Sequence, residues 1–481
     1  MKTILICAAT LGLLSRPAVA AEPLASRARS ALEKATAFLR SISTEGGYLW
    51  RYSEDLQERW GENKATASQI WIQPPGTPSL GLAFLRAHDI TKDPRFFEAA
   101  QGAARALARG QLESGGWDYL VDFDPVKSQQ WYRRTDKGRL TEAQAAGRKN
   151  VATFDDDNTQ SALQFLMAFT KAAARADGSP NREVQEALEY GLTKMLEAQY
   201  PNGAWPQRYN GKPRDLTLYP VRRATIPDRY PREHPKTDYA GFYTLNDHTQ
   251  SDCIRTMLDA FKQFGNRKYL EAALRGGDFL IAAQLPNPQP AWAQQYNFAM
   301  EPAWARAFEP PAICTGESAG AIRTLVELYL ETGDEKFLKP IPAALDWFQR
   351  SRLGPNTWAR FYELGTNKPI YGDRDGKIHY RLDEITEERR RGYAWQGNFN
   401  IPATIAHFEE VQKTGRQAYL AKRAQEPLRT EAHRAALGRE AERAIAALDE
   451  RGRWISNGRI ETRVFIRNVQ TLCDYLESRG R

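Results

Sequence analysis

Four times along this chain, two amphipathic helical patterns run into a Gly, Pro or Asn turn and then a tryptophan. No other feature limits the fold as strongly. "SLGLAFLRAHDI", "SALQFLMAFTKAAARA", "IRTMLDAFKQFG" and "AIRTLVELYLETG" repeat apolar residues at three- and four-residue steps. Each meets a polar break ("TKDPRF", "GSPNRE", "GNRKY", "GDEKF") and a second helical pattern. The turns that follow carry Trp117, Trp205, Trp292 and Trp358, at separations of 88, 87 and 66 residues. A weaker copy surrounds Trp50 in "EGGYLWRYSE". One supersecondary unit in repetition exposes an apolar face that only its neighbour buries. A line of such pairs that closes on itself is an all-α toroid of helical hairpins, with every aromatic turn at one end around a cleft. Each tryptophan taken alone is accounted for as a cap on its hairpin. Four of them beside polar groups ("WDY", "WPQRY", "WAQQY", "WARFY") point to an aromatic groove for sugar rings.

Two acidic motifs stand at the start of successive hairpins. "TFDDDNTQSAL" holds Asp155, Asp156 and Asp157; "TLNDHTQSDCI" holds Asn246 and Asp247. Helix N-capping explains either motif alone. Two equivalent motifs at one end of a toroid bring at least two carboxylates into one cleft, where like charges need a compensating cation or a proton. Carboxylate and amide oxygens suit a hard cation, for which calcium is the usual extracellular choice. Six histidines in the whole chain are too few to argue for zinc. An aspartate run also occurs in prenyl-diphosphate enzymes, but the DDxxD spacing and a second such run are missing here.

Compartment and charge narrow the ligand. "MKTILICAATLGLLSRPAVA" has the form of a secretory signal peptide, cleaved near Ala20. No later run approaches the ~18 apolar residues of a membrane span. The formal charge of +8 falls to +6 without Lys2 and Arg16. An exported, basic protein suits an anionic polymer, although modest excess charge also serves solubility alone. No nucleic-acid motif is present. Cys253, Cys314 and Cys473 remain after the signal, an odd number with no metal-binding spacing, and read as core thiols with room for one disulfide.

Taken in order, "TFDDDNTQ", "AQYPNGAWPQRY", "YTLND", "WARAFEPPAICTGES" and "WARFYELGTNKPIYGDRDGKIHYRLDEI" resemble the family 10 polysaccharide lyases, the helical pectate lyases, over roughly residues 75–400. The resemblance implies an (α/α)3 toroid. It implies calcium on Asp155 and Asp247, with Asp156 beside them, and Arg306 as the base. It further implies Arg360 and Arg374 as holders of substrate carboxylates; Trp205, Trp292 and Trp358 complete the expected substrate groove. Asp156 stands where the family usually has Asn, and His248 where a small or acidic residue is commoner. Residues 210–240 are longer than the family's connection and hold seven Lys or Arg.

The expected protein is therefore an exported monomeric pectate lyase with Ca2+, acting on polygalacturonate and binding neither nucleic acid nor membrane. Residues 1–20 are the signal, 21–400 the toroid, and 401–481 a helical extension packed on it or closing it. Arginine is a difficult base, because its guanidinium stays protonated unless positive neighbours or high pH strip it. Two other readings compete: a toroid glycoside hydrolase with an acid and a base flanking the bond, and a polygalacturonate-binding protein without turnover.

Overall fold

The computed structural model describes residues 22–175, 181–425 and 430–479. The signal pattern at 1–20 lies outside them. Helix α1 (Leu24–Ser41) precedes the hairpin of α2 (Thr77–Thr91) and α3 (Pro94–Gly110). After a short α4 (Glu142–Ala146) come α5 (Asn158–Arg175) with α6 (Arg182–Ala198), α7 (Thr249–Phe264) with α8 (Arg267–Ala283), and α9 (Thr315–Thr332) with α10 (Ile341–Arg350). A short α11 (Glu387–Gly392) leads to α12 (Ile401–Thr414), α13 (Arg416–Ala424), α14 (Glu431–Ala446) and α15 (Thr462–Arg479).

The polar breaks in the repeats are helix caps. Asp93, Asn181, Asn266 and Asp334 each accept a hydrogen bond at 2.9–3.1 Å from the backbone N–H two residues on. That satisfies a donor that the start of a helix leaves open. Small residues then allow close packing. In α3 the buried face is Ala99, Ala100, Ala103, Ala104 and Leu107. A Cβ on Gly81 would sit 2.2 Å from the Phe165 ring, so α2 and α5 approach across that glycine.

The architecture is the helical toroid expected. In the inner layer α15 packs on α2, α2 on α5, α5 on α7, α7 on α9, and α9 on α12; outside, α14 packs on α1, α1 on α3, and α3 on α6. The site lies on α5–α6, α7–α8 and α9–α10, and further hairpins continue the layers on both sides. The main core draws on residues from Ala28 to Leu476, and a smaller one gathers around Phe361, Ile370 and Trp395. The C-terminal helix joins the N-terminal part: α15 packs on α1 and α2, and strand 459–461 pairs with 51–53.

Each tryptophan turn has one construction. The indole N–H of Trp117, Trp205, Trp292 and Trp358 donates to a carbonyl of the preceding helix, on Leu107, Met195, Leu280 and Phe348, at 2.7–2.9 Å. Trp454 repeats the bond, to Ala444 at 2.8 Å, whereas Trp50 bonds to Gln73 instead. Trp454 is thus one further copy, and in "EGGYLWRYSE" it is Tyr48, not Trp50, that takes the tryptophan position: its backbone N–H donates to the Thr77 hydroxyl as that of Trp117 does to Thr159. Cys253, Cys314 and Cys473 are buried free thiols.

Candidate active site

Two-residue ladders fix the acidic motifs. Strand 152–153 pairs with 208–209 and strand 243–244 with 295–296. Each first strand runs directly into a single 3-10 turn, Asp155–Asp157 or Asn246–His248. In both turns the last two residues have positive φ: 53° and 56° at Asp156 and Asp157, 47° and 64° at Asp247 and His248. Short polar side chains tolerate that region better than most. The two turns pack on each other, and the kink aims their carboxylates into a cleft. The donors that reach Asp155, Asp156 and Asp247 are side chains, not helix N–H groups, so capping is not their role.

Asp155, Asp156 and Asp247 bring one oxygen each within 4.8 Å of the others. Asp155 is 8% exposed. Its Oδ2 accepts from Gln207 Nε2 at 2.8 Å and the Tyr119 hydroxyl at 3.2 Å; the same hydroxyl lies 3.3 Å from Asp156 Oδ2. Asn246 Nδ2 donates to Asp247 at 2.5 Å. Burial first, then the charges of Asp247 and Asp156, push Asp155 up to about 7. Burial and Asp247 raise Asp156 to about 6. Behind them the buried Glu317, which accepts from the Asp247 N–H at 3.2 Å, is raised to about 8 by burial and by Asp247. Three converging carboxylates held by neutral donors fit a hard divalent cation.

Arg306 lines the same cleft as the three aspartates. The group bonded to it is an acid, not the positive charge that a base role called for. Nε donates to Glu309 Oε2 at 2.7 Å and Nη2 to Oε1 at 2.5 Å, while the Glu309 side chain is 2% exposed. Burial pulls the guanidinium pKa down, but the hydrogen bonds and charge of Glu309, with Tyr393 and Asp247, outweigh it and raise it above the ordinary value. The Tyr393 hydroxyl completes the clamp, donating to Glu309 at 2.9 Å.

The other arginines gather on nearby rings. Arg306, Arg374 and Arg389 lie 4.8, 5.7 and 4.6 Å from the Phe308 centroid. Arg360 lies 4.2 Å from that of Tyr393 and donates Nε to the Ala394 carbonyl at 3.0 Å. Among the described residues Arg360 has no acidic partner. Arg374 does: Glu388 bridges it to Arg389.

The expected tryptophan groove is corrected. Trp205 and Trp292 are 0% and Trp358 1% exposed. Rings buried under their own hairpins have no face to offer a sugar. The cleft is lined instead by Tyr119, Tyr219, Tyr239 and Phe298.

Gln207, Tyr119, Glu309, Glu317 and Tyr393 went unread in the sequence. A signal existed for two of them, Tyr119 and Gln207. Tyr119, Gln207, Gln294 and Arg360 occupy the same position, two residues past Trp117, Trp205, Trp292 and Trp358. Gln207 touches Asp155; Gln294, 5% exposed, has no partner for either amide atom among the described residues.

Residues 111–220 and 350–402 match the family model described as pectic acid lyase. Over these two stretches, about a third of its length, the chain is similar to the pectic acid lyases. The matched stretches contain Asp155, Asp156, Arg360 and Arg374; Asp247 and Arg306 lie between them. No curated protein matches the chain. Among solved structures, a family 10 polysaccharide lyase from Cellvibrio cellulosa is 21% identical, covering 70% of this chain and 97% of that one at a TM-score of 0.48. A mutant of the family 10 polysaccharide lyase from that organism, in complex with trigalacturonic acid, is 20% identical over 70% and 98%, at 0.47. The GH76 α-mannanase of Bacteroides thetaiotaomicron is 10% identical over 96% and 97%, at 0.43.

Proposed function

We propose that this chain is an exported, monomeric pectate lyase that cleaves polygalacturonate by β-elimination, with calcium on Asp155, Asp156 and Asp247. One observation carries the reading: three carboxylates from successive hairpins converge at the floor of a cleft that Arg306 also lines.

Polygalacturonate carries one carboxylate per sugar. Elimination takes the proton from carbon 5, leaves its electron pair as a carbon 4–carbon 5 double bond, and expels the oxygen at carbon 4, which takes up a proton. Carbon 5 is a weak acid, so charge developing next to the carboxylate must be stabilised. Bound calcium would supply positive charge there.

The chain's own residues do the rest. Asn246, Gln207 and Tyr119 fix the carboxylates in place. The η nitrogens of Arg360, which has no ion pair among the described residues and uses only Nε on the Ala394 carbonyl, are suited to a two-point pair with a uronate carboxylate. Arg374 is available to substrate when Glu388 releases it. Arg306 takes the carbon 5 proton, and to do so must first lose its own. Glu309 opposes that loss, so the reading calls for alkaline working conditions.

The test is ultraviolet absorbance of the unsaturated product from polygalacturonate, with calcium and then with chelator, from neutral to high pH. A hydrolase would release reducing ends without that absorbance, and a binding protein would release neither. Either result overturns the proposal.

A further inference from the structure

The cleft is larger than its catalytic floor needs. Its volume is about 1140 Å³, above the ~300–1,000 Å³ usual for a small-molecule site. One of its walls is the strand and loop from Gln207 to Arg214, which runs from the tryptophan turn into the long basic connection of residues 210–240.

Arg208 faces Thr153 across the 152–153 ladder, two residues before Asp155. Its backbone N–H is bound to the Ala240 carbonyl at 3.0 Å, but its guanidinium has no ion pair or hydrogen bond among the described residues. Four residues on, Lys212 is equally exposed and equally unpaired, with only its backbone N–H held, by Asn210 at 3.1 Å. Most other basic side chains near the cleft are engaged. Arg214, from the same loop, donates to the Ala198 carbonyl at 2.7 Å and lies 4.0 Å from the Tyr200 centroid, which anchors the loop. Arg306 has Glu309. Two cations kept free on the wall of a cleft are what an anionic polymer meets after its first sugar has reached the floor.

We propose that Arg208 and Lys212 form a second anion subsite, which takes the carboxylate of a uronic acid one or more sugars away from the cleaved bond. This rests on the lyase reading for the identity of the polymer, though not for the existence of the subsite. Such a subsite makes the enzyme favour long chains, because each exposed ion pair adds modest affinity that a short substrate cannot collect.

The experiment compares the wild type with the double variant R208Q/K212Q on polygalacturonate and on trigalacturonate. The ratio of kcat/KM for polymer to that for trimer is expected to fall about five- to tenfold in the variant, and the salt dependence of KM on polymer to weaken. An unchanged ratio overturns the subsite. Binding of polygalacturonate by calorimetry, on an Arg306→Ala background with and without R208Q/K212Q, separates the two readings. Weaker binding with R208Q/K212Q supports the subsite even where no elimination product forms, and equal binding overturns it even where product does form.

Discussion

Arg306 is clamped by Glu309, three residues further on, through two side-chain contacts and a third from its own backbone N–H at 3.1 Å. The carboxylate is buried and the guanidinium reaches the cleft. This pair orients the proposed base and at the same time holds its proton on. Rate and pH dependence therefore separate in mutants of the two residues.

Arg306→Ala is expected to lower kcat by about a thousandfold, within the range for loss of a general base. Circular dichroism and the unfolding midpoint should stay near wild type, because the Arg306 side chain is 44% exposed. Retention of more than a tenth of the turnover would remove Arg306 from the chemistry.

Glu309→Gln takes away the charge that raises the Arg306 pKa. The alkaline rise in kcat is expected to move to lower pH, with about 1–3 kcal/mol of stability lost from a disrupted buried hydrogen-bonded pair. A pH–rate profile of unchanged midpoint would count against Arg306 as the titrating group.

Calcium and protons compete for Asp155 and Asp156. Their folded pKa values, about 7 and about 6 without a cation, lie above the unfolded range near 4. The folded state then binds more protons than the unfolded one across that window. Without calcium, stability should fall as pH rises from about 4 to about 7. Calcium replaces the protons, so its stabilising effect should be larger at pH 8 than at pH 5, reaching about 2.7 kcal/mol at a hundredfold excess over Kd. Thermal melts with calcium or chelator at the two pH values measure it. Asp247→Ala should abolish the difference.

Trp205→Ala tests the corrected role of the tryptophans. The ring is fully buried, its N–H is bonded to Met195, and it lies against Gly276. Loss of about 3–5 kcal/mol is expected in urea unfolding, with KM for polygalacturonate little changed in the remaining folded protein. A large rise in KM without loss of stability would restore the groove.

Much of this protein was legible before folding. The helical repeat, its capping breaks and the equivalent placement of "DDDNTQS" and "NDHTQS" all follow from local rules, since periodicity and caps depend on residues a few positions apart. Convergence of Asp155 with Asp247 followed from the repeat, because equivalent positions in stacked hairpins share one end. The tryptophans misled because the same ring serves as a buried strut or a sugar platform, and exposure belongs to the whole fold. Glu309 stood three residues from Arg306 in plain view, yet whether that spacing makes an ion pair depends on how the turn is packed under Tyr393.

Sequence alone thus determined the hairpins, their order and the residues that could meet. Tertiary structure decided which side chains face the cleft, what sign of charge surrounds Arg306 and which cations stay free for a ligand. Those depend on burial and on contacts between residues tens of positions apart, such as Tyr393 with Glu309 and Gln207 with Asp155, where desolvation and charge act through space and not along the chain.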